Sequence, residues 1–175
     1  MALIELGLFD IQQIDPLDDA DVQTYFNRRL DNLALADEVG LDIAFVAERH
    51  YLPTYRCQSA SVWVAAATQR TRNIRLGALA YTLPITPPAR LAEEIATLDQ
   101  ISGGRIEIGV GLGHRVEELE ANGIDASKRI DIFQERLAVL EGLLNGGTVT
   151  YDGDGSVLRN VFISPRPLQD PHPPI

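Results

Sequence analysis

Leu98-Asp99-Gln100-Ile101-Ser102-Gly103-Gly104-Arg105-Ile106-Glu107-Ile108-Gly109-Val110-Gly111-Leu112-Gly113 reads as a helix end, a tight turn, a buried strand and a glycine-rich loop. Gly103 and Gly104 stop the helix, because glycine takes the left-handed backbone that closes a last helical turn. Residues 106–110 are short and mostly apolar, which suits a strand covered on both faces. Residues 111–113 then lie at the carboxyl end of that strand, where parallel α/β folds do their chemistry.

Outward from this stretch the same strand–loop–helix unit recurs. Residues 3–9 predict a first strand and 10–21 a polar loop. Residues 22–39 predict a helix with Phe26, Leu30, Leu33 and Ala34 on one stripe, ended by Gly40. Residues 43–47 are the second strand, 48–59 a long loop and 60–69 an alanine-rich helix. Residues 74–80 are the third strand. Pro84, Pro87 and Pro88 then break the chain before a helix over 89–100, turned at 102–104. A long helix follows over 127–144. In the last segment, Val149-Thr150-Tyr151 and Val161-Phe162-Ile163 are expected to pair around a turn at 152–155, ahead of a proline-rich tail.

Short apolar strands alternating with amphipathic helices mean an α/β fold with a parallel sheet. The chain reads as one domain, 1–175, with 145–175 as hairpin and connecting tail. Two architectures fit. An open doubly wound sheet would be complete with these strands. A TIM-barrel-type (β/α)₈ fold takes about 250 residues, and this chain would supply four of its eight units.

Composition narrows the function classes. The 45% hydrophobic and 23% charged content is globular. A net charge of −10 argues against a nucleic-acid partner, whose phosphates call for a basic face. No apolar run approaches the roughly 20 residues of a spanning helix, and Glu5 interrupts the first one, so neither membrane nor signal peptide is expected. Cytoplasmic location is the default. Cys57 is the only cysteine and reads as an ordinary loop residue. One cysteine and scattered histidines make no zinc pattern, so no metal is expected.

The strand carboxyl ends gather residues 9–10, 48–50, 79–82 and 111–114 on one face. An imidazole there moves protons near neutral pH or holds an anion, which singles out His50, with Glu48 beside it, and then His114. His172 falls in the tail. Gly109, Gly111 and Gly113 make a poor dinucleotide fingerprint: His114 fills the next slot and an acidic helix begins at 115–118. They read better as room for a flat ligand, or as a plain tight turn. Ser59 and Ser61 lack a nucleophile elbow. Glu93-Glu94 and Glu117-Glu118 are adjacent on helices, where neighbours diverge by about 100°, so each is expected to be a solvated face. Arg105 is expected to brace its turn, with Asp99 as partner.

These residues resemble the bacterial-luciferase-like family of flavin-dependent oxidoreductases. The resemblance rests on Gly7-Leu8-Phe9, Ala47-Glu48-Arg49-His50-Tyr51 and Leu76-Gly77-Ala78-Leu79-Ala80 with Leu83-Pro84. It continues through Pro88-Ala89-Arg90-Leu91-Ala92-Glu93, the stretch 98–113, and the prolines of 165–175. Leu-Asp-Gln-x-Ser-x-Gly-Arg is its most specific motif. The resemblance implies the amino-terminal half of a (β/α)₈ barrel that binds reduced FMN, or a deazaflavin coenzyme, at its strand carboxyl ends. It implies a monooxygenase using oxygen on a small apolar substrate, with a flavin reductase as a possible supplier of reduced FMN. Deazaflavin members transfer hydride instead. It also implies catalytic roles for His50 and Glu48 and cofactor contacts from Leu79, Ala80, Tyr81, Gly111 and Gly113, with a cis peptide at Leu79–Ala80.

Three positions depart from the pattern. The family's usual catalytic histidine falls at Arg49, with His50 one step on. Luciferase has a reactive cysteine where Gly111 stands and a phosphate-binding arginine where Leu112 stands. Four strands leave two open edges and an apolar face. The chain is therefore expected to form a homo-oligomer, to join a missing carboxyl-terminal half, or to be a non-catalytic half-barrel interaction module.

Overall fold

The computed structural model describes residues 4–14, 21–153 and 156–175. One parallel sheet runs in the order β1 (Gly7–Asp10), β2 (Ile43–Val46), β3 (Arg75–Thr82), β4 (Ile106–Gly111). Between them lie α1 (Val22–Glu38), α2 (Ala60–Thr68) and α3 (Pro88–Ser102). After β4 come α4 (Val116–Ala121) and α5 (Arg129–Leu144), then an antiparallel pair, β5 (Val149–Gly153) and β6 (Ser156–Val161). Parallel strands in sequential order are the product of repeated strand–helix crossovers. No helix among the described residues is long and apolar enough to cross a membrane.

Local chemistry sets the element ends. Asp21 caps α1 by accepting from the Thr24 amide at 2.9 Å. Pro88 opens α3, where its missing N–H is no loss, and Gly103 closes it at φ 73°. Thr71, Arg105 and the end of α2 form a polar knot. Arg105 Nη1 donates to Thr71 Oγ1 (3.0 Å) and the Ile74 carbonyl (2.9 Å), and Nη2 donates to the Thr68 carbonyl (3.2 Å). A cation at the carboxyl end of a helix satisfies carbonyls that have no amide partner.

The two sheet faces differ. Leu76, Ala78, Ile106 and Ile108 turn to the helix layer and join Leu33, Trp63, Leu91, Ile95 and Leu140 in the main core. The alternate residues turn the other way. There Phe9 is 47% exposed and Leu79 45%, and Arg75 pairs with both Glu5 and Glu107. This open face is the one that a closed barrel would bury.

One buried carboxylate anchors the middle of the tail. Asp99 is fully buried in α3 and accepts from the Leu168 amide (2.8 Å), the Gln169 amide (2.9 Å) and Gln169 Nε2 (2.8 Å). The same Nε2 donates to the Ile106 carbonyl at 2.8 Å. Farther on, the Ile108 amide donates to the Pro174 carbonyl at 2.8 Å, so the tail covers the outer edge of β4.

Several expectations are corrected. The first strand begins at Gly7; Ile4 and Leu6 are exposed and precede it, and Leu3 lies outside the described residues. Asp10 belongs to that strand, not to the following loop. The third strand runs on to Thr82. The hairpin pairs Val149 with Val161 through β6, so 162–163 are not strand: Ile163 is buried in the core and Phe162 is exposed. The expected turn at 152–155 includes 154–155, and the expected loop at 10–21 includes 15–20, all outside the described residues. Arg105 does brace its turn, but its partners are carbonyls and Thr71 rather than Asp99, which the tail has taken.

Asp99→Ala leaves the Leu168 and Gln169 amides without an acceptor and removes one of the two bonds of Gln169 Nε2. We expect it to lower the unfolding free energy by roughly 3 kcal/mol in urea titration. A change below about 0.5 kcal/mol would show that the tail is held by something else.

Candidate functional site

The loops after the four strands meet at the carboxyl ends of the sheet. After β2 the chain runs through Ala47, Glu48, Arg49 and His50. Glu48 is buried and binds on both sides: Oε2 accepts from the Ala60 amide at 2.8 Å, and Oε1 lies 3.2 Å from His50 Nε2. Ser59, at the cap position of α2, makes no side-chain cap bond, so Glu48 supplies the acceptor that the helix start lacks. One carboxylate thus fixes the start of α2 and the His50 ring together.

The imidazole of His50 is held above its ordinary 6.5, first by the hydrogen bond to Glu48, against desolvation, with the charges of Glu48 and Glu118 adding to the rise. Arg115 Nη1 donates to the His50 carbonyl at 3.0 Å. The next residue, Tyr51, has φ 57°, and its hydroxyl reaches Asn122 Oδ1 at 3.4 Å. Loop and α4 are therefore tied at two points.

The expected site residues do not share one cavity. Glu48, His50 and Tyr81 line a cleft of about 240 Å³ with Ser61 and Thr86. Tyr81 is buried there, its hydroxyl 3.3 Å from Ser61 Oγ, and burial pushes the phenol pKa up, so it stays neutral. Leu79, Ala80, Gly111 and Gly113 line a neighbouring cavity of about 520 Å³. Arg49, His114, Glu118 and Arg129 supply its polar wall. The separation falls between consecutive residues, Arg49 and His50 on one strand exit, Ala80 and Tyr81 on the other. Extended chain sends neighbouring side chains opposite ways.

The β3–β4 pairing places the second cavity. Ala78 faces Ile108, but Tyr81, not Ala80, faces Val110, so β3 carries an extra residue. Such a bulge re-aims the side chains around it. The Leu79–Ala80 peptide inside it is cis, as the resemblance implied. Gly109 makes the close pairing possible: a Cβ there would sit 2.5 Å from the Ala78 carbonyl oxygen. Gly113 is also required by the fold, at φ 72° with an added Cβ 2.8 Å from Thr82 Cγ2. Gly111 is different. Its added Cβ would meet nothing nearer than Ala80 Cβ at 3.4 Å, so packing does not demand a glycine there.

Other candidates fall away from chemistry. Cys57 is buried and its thiol is pushed up to about 12 by burial, which makes it unreactive. His172 sits in the tail with Nδ1 2.6 Å from the Pro173 carbonyl. Asp10 is buried and occupied by Arg29 and Gln12. Glu117 is exposed as expected, but Glu118 is only 3% exposed, which corrects the reading of that pair as a solvated face. Arg115 and Asn122, the residues that flank α4, hold that helix against the loop after β2 and so bury Glu118 between them.

The His50–Glu48 contact has a definite pH dependence. A histidine whose folded value is raised stabilises fully below its unfolded value, near 6.5, and loses that contribution as pH rises through the folded value. Glu48→Gln keeps an acceptor for Ala60 and removes the charge. We expect the His50 pKa, followed by NMR of the imidazole, to fall toward the ordinary value; an unchanged titration would contradict the coupling.

Comparison with known proteins gives the family and the fold. A family profile described as luciferase-like monooxygenase matches residues 4–175. An uncharacterized protein, y4wF, of Sinorhizobium fredii is 36% identical over 171 residues, 98% of this chain and 49% of its own length. Among solved structures, the monooxygenase RslO1 of Streptomyces bottropensis superposes with a TM-score of 0.90 at 27% identity, covering 97% of this chain and 52% of its own. The FMN complex of the oxygenating constituent of 3,6-diketocamphane monooxygenase, from Pseudomonas putida, superposes with a TM-score of 0.81 at 26% identity, covering 97% and 48%. The chain spans about half the length of these proteins. Its four strands and their helices are half of the luciferase-like TIM-barrel fold, and the chain belongs to the luciferase-like monooxygenase family.

Proposed function

We propose that this chain supplies the ring-facing half of an FMN-dependent monooxygenase that oxidises a small apolar organic molecule, its barrel completed by further sequence or by a partner chain. The observation that carries the reading is the cavity over Leu79, Ala80 and Gly111 at the strand carboxyl ends. Its floor is apolar and, at Gly111, free of a side chain that packing alone would allow. A flat heteroaromatic ring needs such a floor. The FMN complex among the solved relatives supports the choice of cofactor.

Bound reduced FMN would supply the electrons that let molecular oxygen react. The residues of this chain would do the rest. Arg49 faces the cavity and offers a fixed cation to a ring that carries negative charge when reduced. Its Nη1 is anchored on the Glu48 carbonyl at 3.0 Å, which limits its freedom. Leu79 and Ala80 exclude water beneath the ring. His50, in the adjoining cleft, has Nε2 held against Glu48 Oε1, which favours the imidazolium and leaves its Nδ1–H to protonate a developing oxyanion. Gly113 shapes the turn, and Tyr81 walls the cleft as a neutral phenol. A flavin reductase in the cytoplasm would renew the reduced FMN.

The test is a binding titration of the full chain, together with the strands that complete its barrel, against FMN and against the deazaflavin F420. Saturable FMN binding with weaker F420 binding is expected. Preference for F420 would replace the oxygen chemistry with hydride transfer, and binding of neither would overturn the assignment. In an FMN-binding preparation, His50→Ala should cut turnover of the best substrate in a panel of aldehydes, alkanes and terpenes at least about tenfold. Unchanged turnover would remove His50 from the mechanism.

A further inference from the structure

Glu118 is a charged side chain buried in the wall of the cavity, only 3% exposed, and its Oε1 has no hydrogen-bond partner among the described residues. An unpaired buried polar atom costs free energy that folding does not return. The two residues that flank α4 are engaged: Arg115 with the His50 carbonyl, Asn122 with Tyr51 and with the Glu118 backbone carbonyl at 2.8 Å. The helix is thus clasped to the loop after β2 by hydrogen bonds from the residues on either side of Glu118; the Glu118 carboxylate acts on that loop only through its charge, felt at His50. Leu119, the next residue, is fully buried in a small core with Ile124 and Ile132, so α4 is seated independently of the carboxylate.

A buried carboxylate oxygen without a hydrogen bond, on the wall of a ligand-sized cavity, has the chemistry of an acceptor waiting for a donor. The last torsion of a glutamate is broad, so a small rotation turns Oε1 to the cavity. Leu79, Ala80 and Gly111, on the same cavity, contribute no acidic group. We propose that Glu118 is a ligand-binding residue: its carboxylate accepts a hydrogen bond from an N–H or O–H of the ring system that lies over Leu79, Ala80 and Gly111. The inference rests on the flavin reading of this cavity and adds a residue to it. Oxidised flavins, the form read by fluorescence, offer donors of two kinds, the ring N3–H and the ribityl hydroxyls. An apolar ligand without a donor would leave Glu118 unpaired and is disfavoured.

The test uses the full chain with its barrel completed, two probes and two variants. The probes are FMN and lumiflavin, which keeps the ring N3–H and lacks the ribityl chain. Glu118→Met removes the acceptor at similar length; Glu118→Gln keeps an acceptor and removes the charge. Affinity is read by flavin fluorescence and stability by thermal melting without ligand. We expect Glu118→Met to weaken FMN binding at least about tenfold, Glu118→Gln to recover part of the loss, and neither to lower Tm. A loss for both probes assigns the donor to the ring N–H; a loss for FMN alone assigns it to the ribityl chain. Unchanged affinity in Glu118→Met, or a lowered Tm or failure to fold, overturns the proposal and makes Glu118 structural. If the wild-type chain binds neither probe, the flavin reading itself has failed and this assignment falls with it.

Discussion

The close approach of β4 to β3 governs this site. It depends on an absent side chain: with any Cβ at Gly109, the strands could not pass at the Ala78 carbonyl without moving apart. With glycine there, β3 takes its extra residue between Ala78 and Tyr81. That one residue decides which side chains enter which cavity. Leu79 and Ala80 floor the larger one, and Tyr81 is turned back into the His50 cleft and buried. A flat sheet with regular register would have sent Ala80 and Tyr81 to the opposite sides.

Glu48 plays the corresponding part on the other strand exit. Its two oxygens serve the amide at the start of α2 and the ring of His50, so the helix layer and that imidazole are positioned by the same buried group. Because Glu48 is held by a helix end, the imidazole it orients is attached to a rigid element rather than to a free loop. Arg49 is held in turn by the Glu48 carbonyl and points to the neighbouring cavity. At the position where the family resemblance led to a histidine, this chain therefore presents a permanent cation to the larger cavity and keeps its imidazole one wall away.

Much of the fold was legible because it is local. Apolar periodicity marked α1, α3 and α5, and Gly103 with Gly104 marked the end of α3. Strands β2, β3 and β4 were found as short apolar runs between helices. What failed depends on distant partners. Asp99 and Gln169 are far apart in sequence, so nothing near Asp99 shows that its carboxylate belongs to the tail rather than to Arg105. The hairpin was found but its second strand misplaced, since apolar 161–163 looked more strand-like than 156–161, and burial of Ile163 comes from packing on the core. In the site, residues 48–50, 79–81 and 111–113 were all singled out, yet their division between two cavities turns on side-chain direction after a bulge. Glu118 was missed because burial of one acid in an acidic helix depends on what that helix packs against.

The most direct test of this account is the structure of the chain, with its barrel completed, in complex with FMN. We predict the isoalloxazine ring in the larger cavity, stacked over Leu79–Ala80 and Gly111, with Arg49 and Glu118 at its edge and the His50 cleft left to substrate. A ring bound in the cleft lined by Glu48, His50 and Tyr81, or bound away from the strand carboxyl ends, would contradict it.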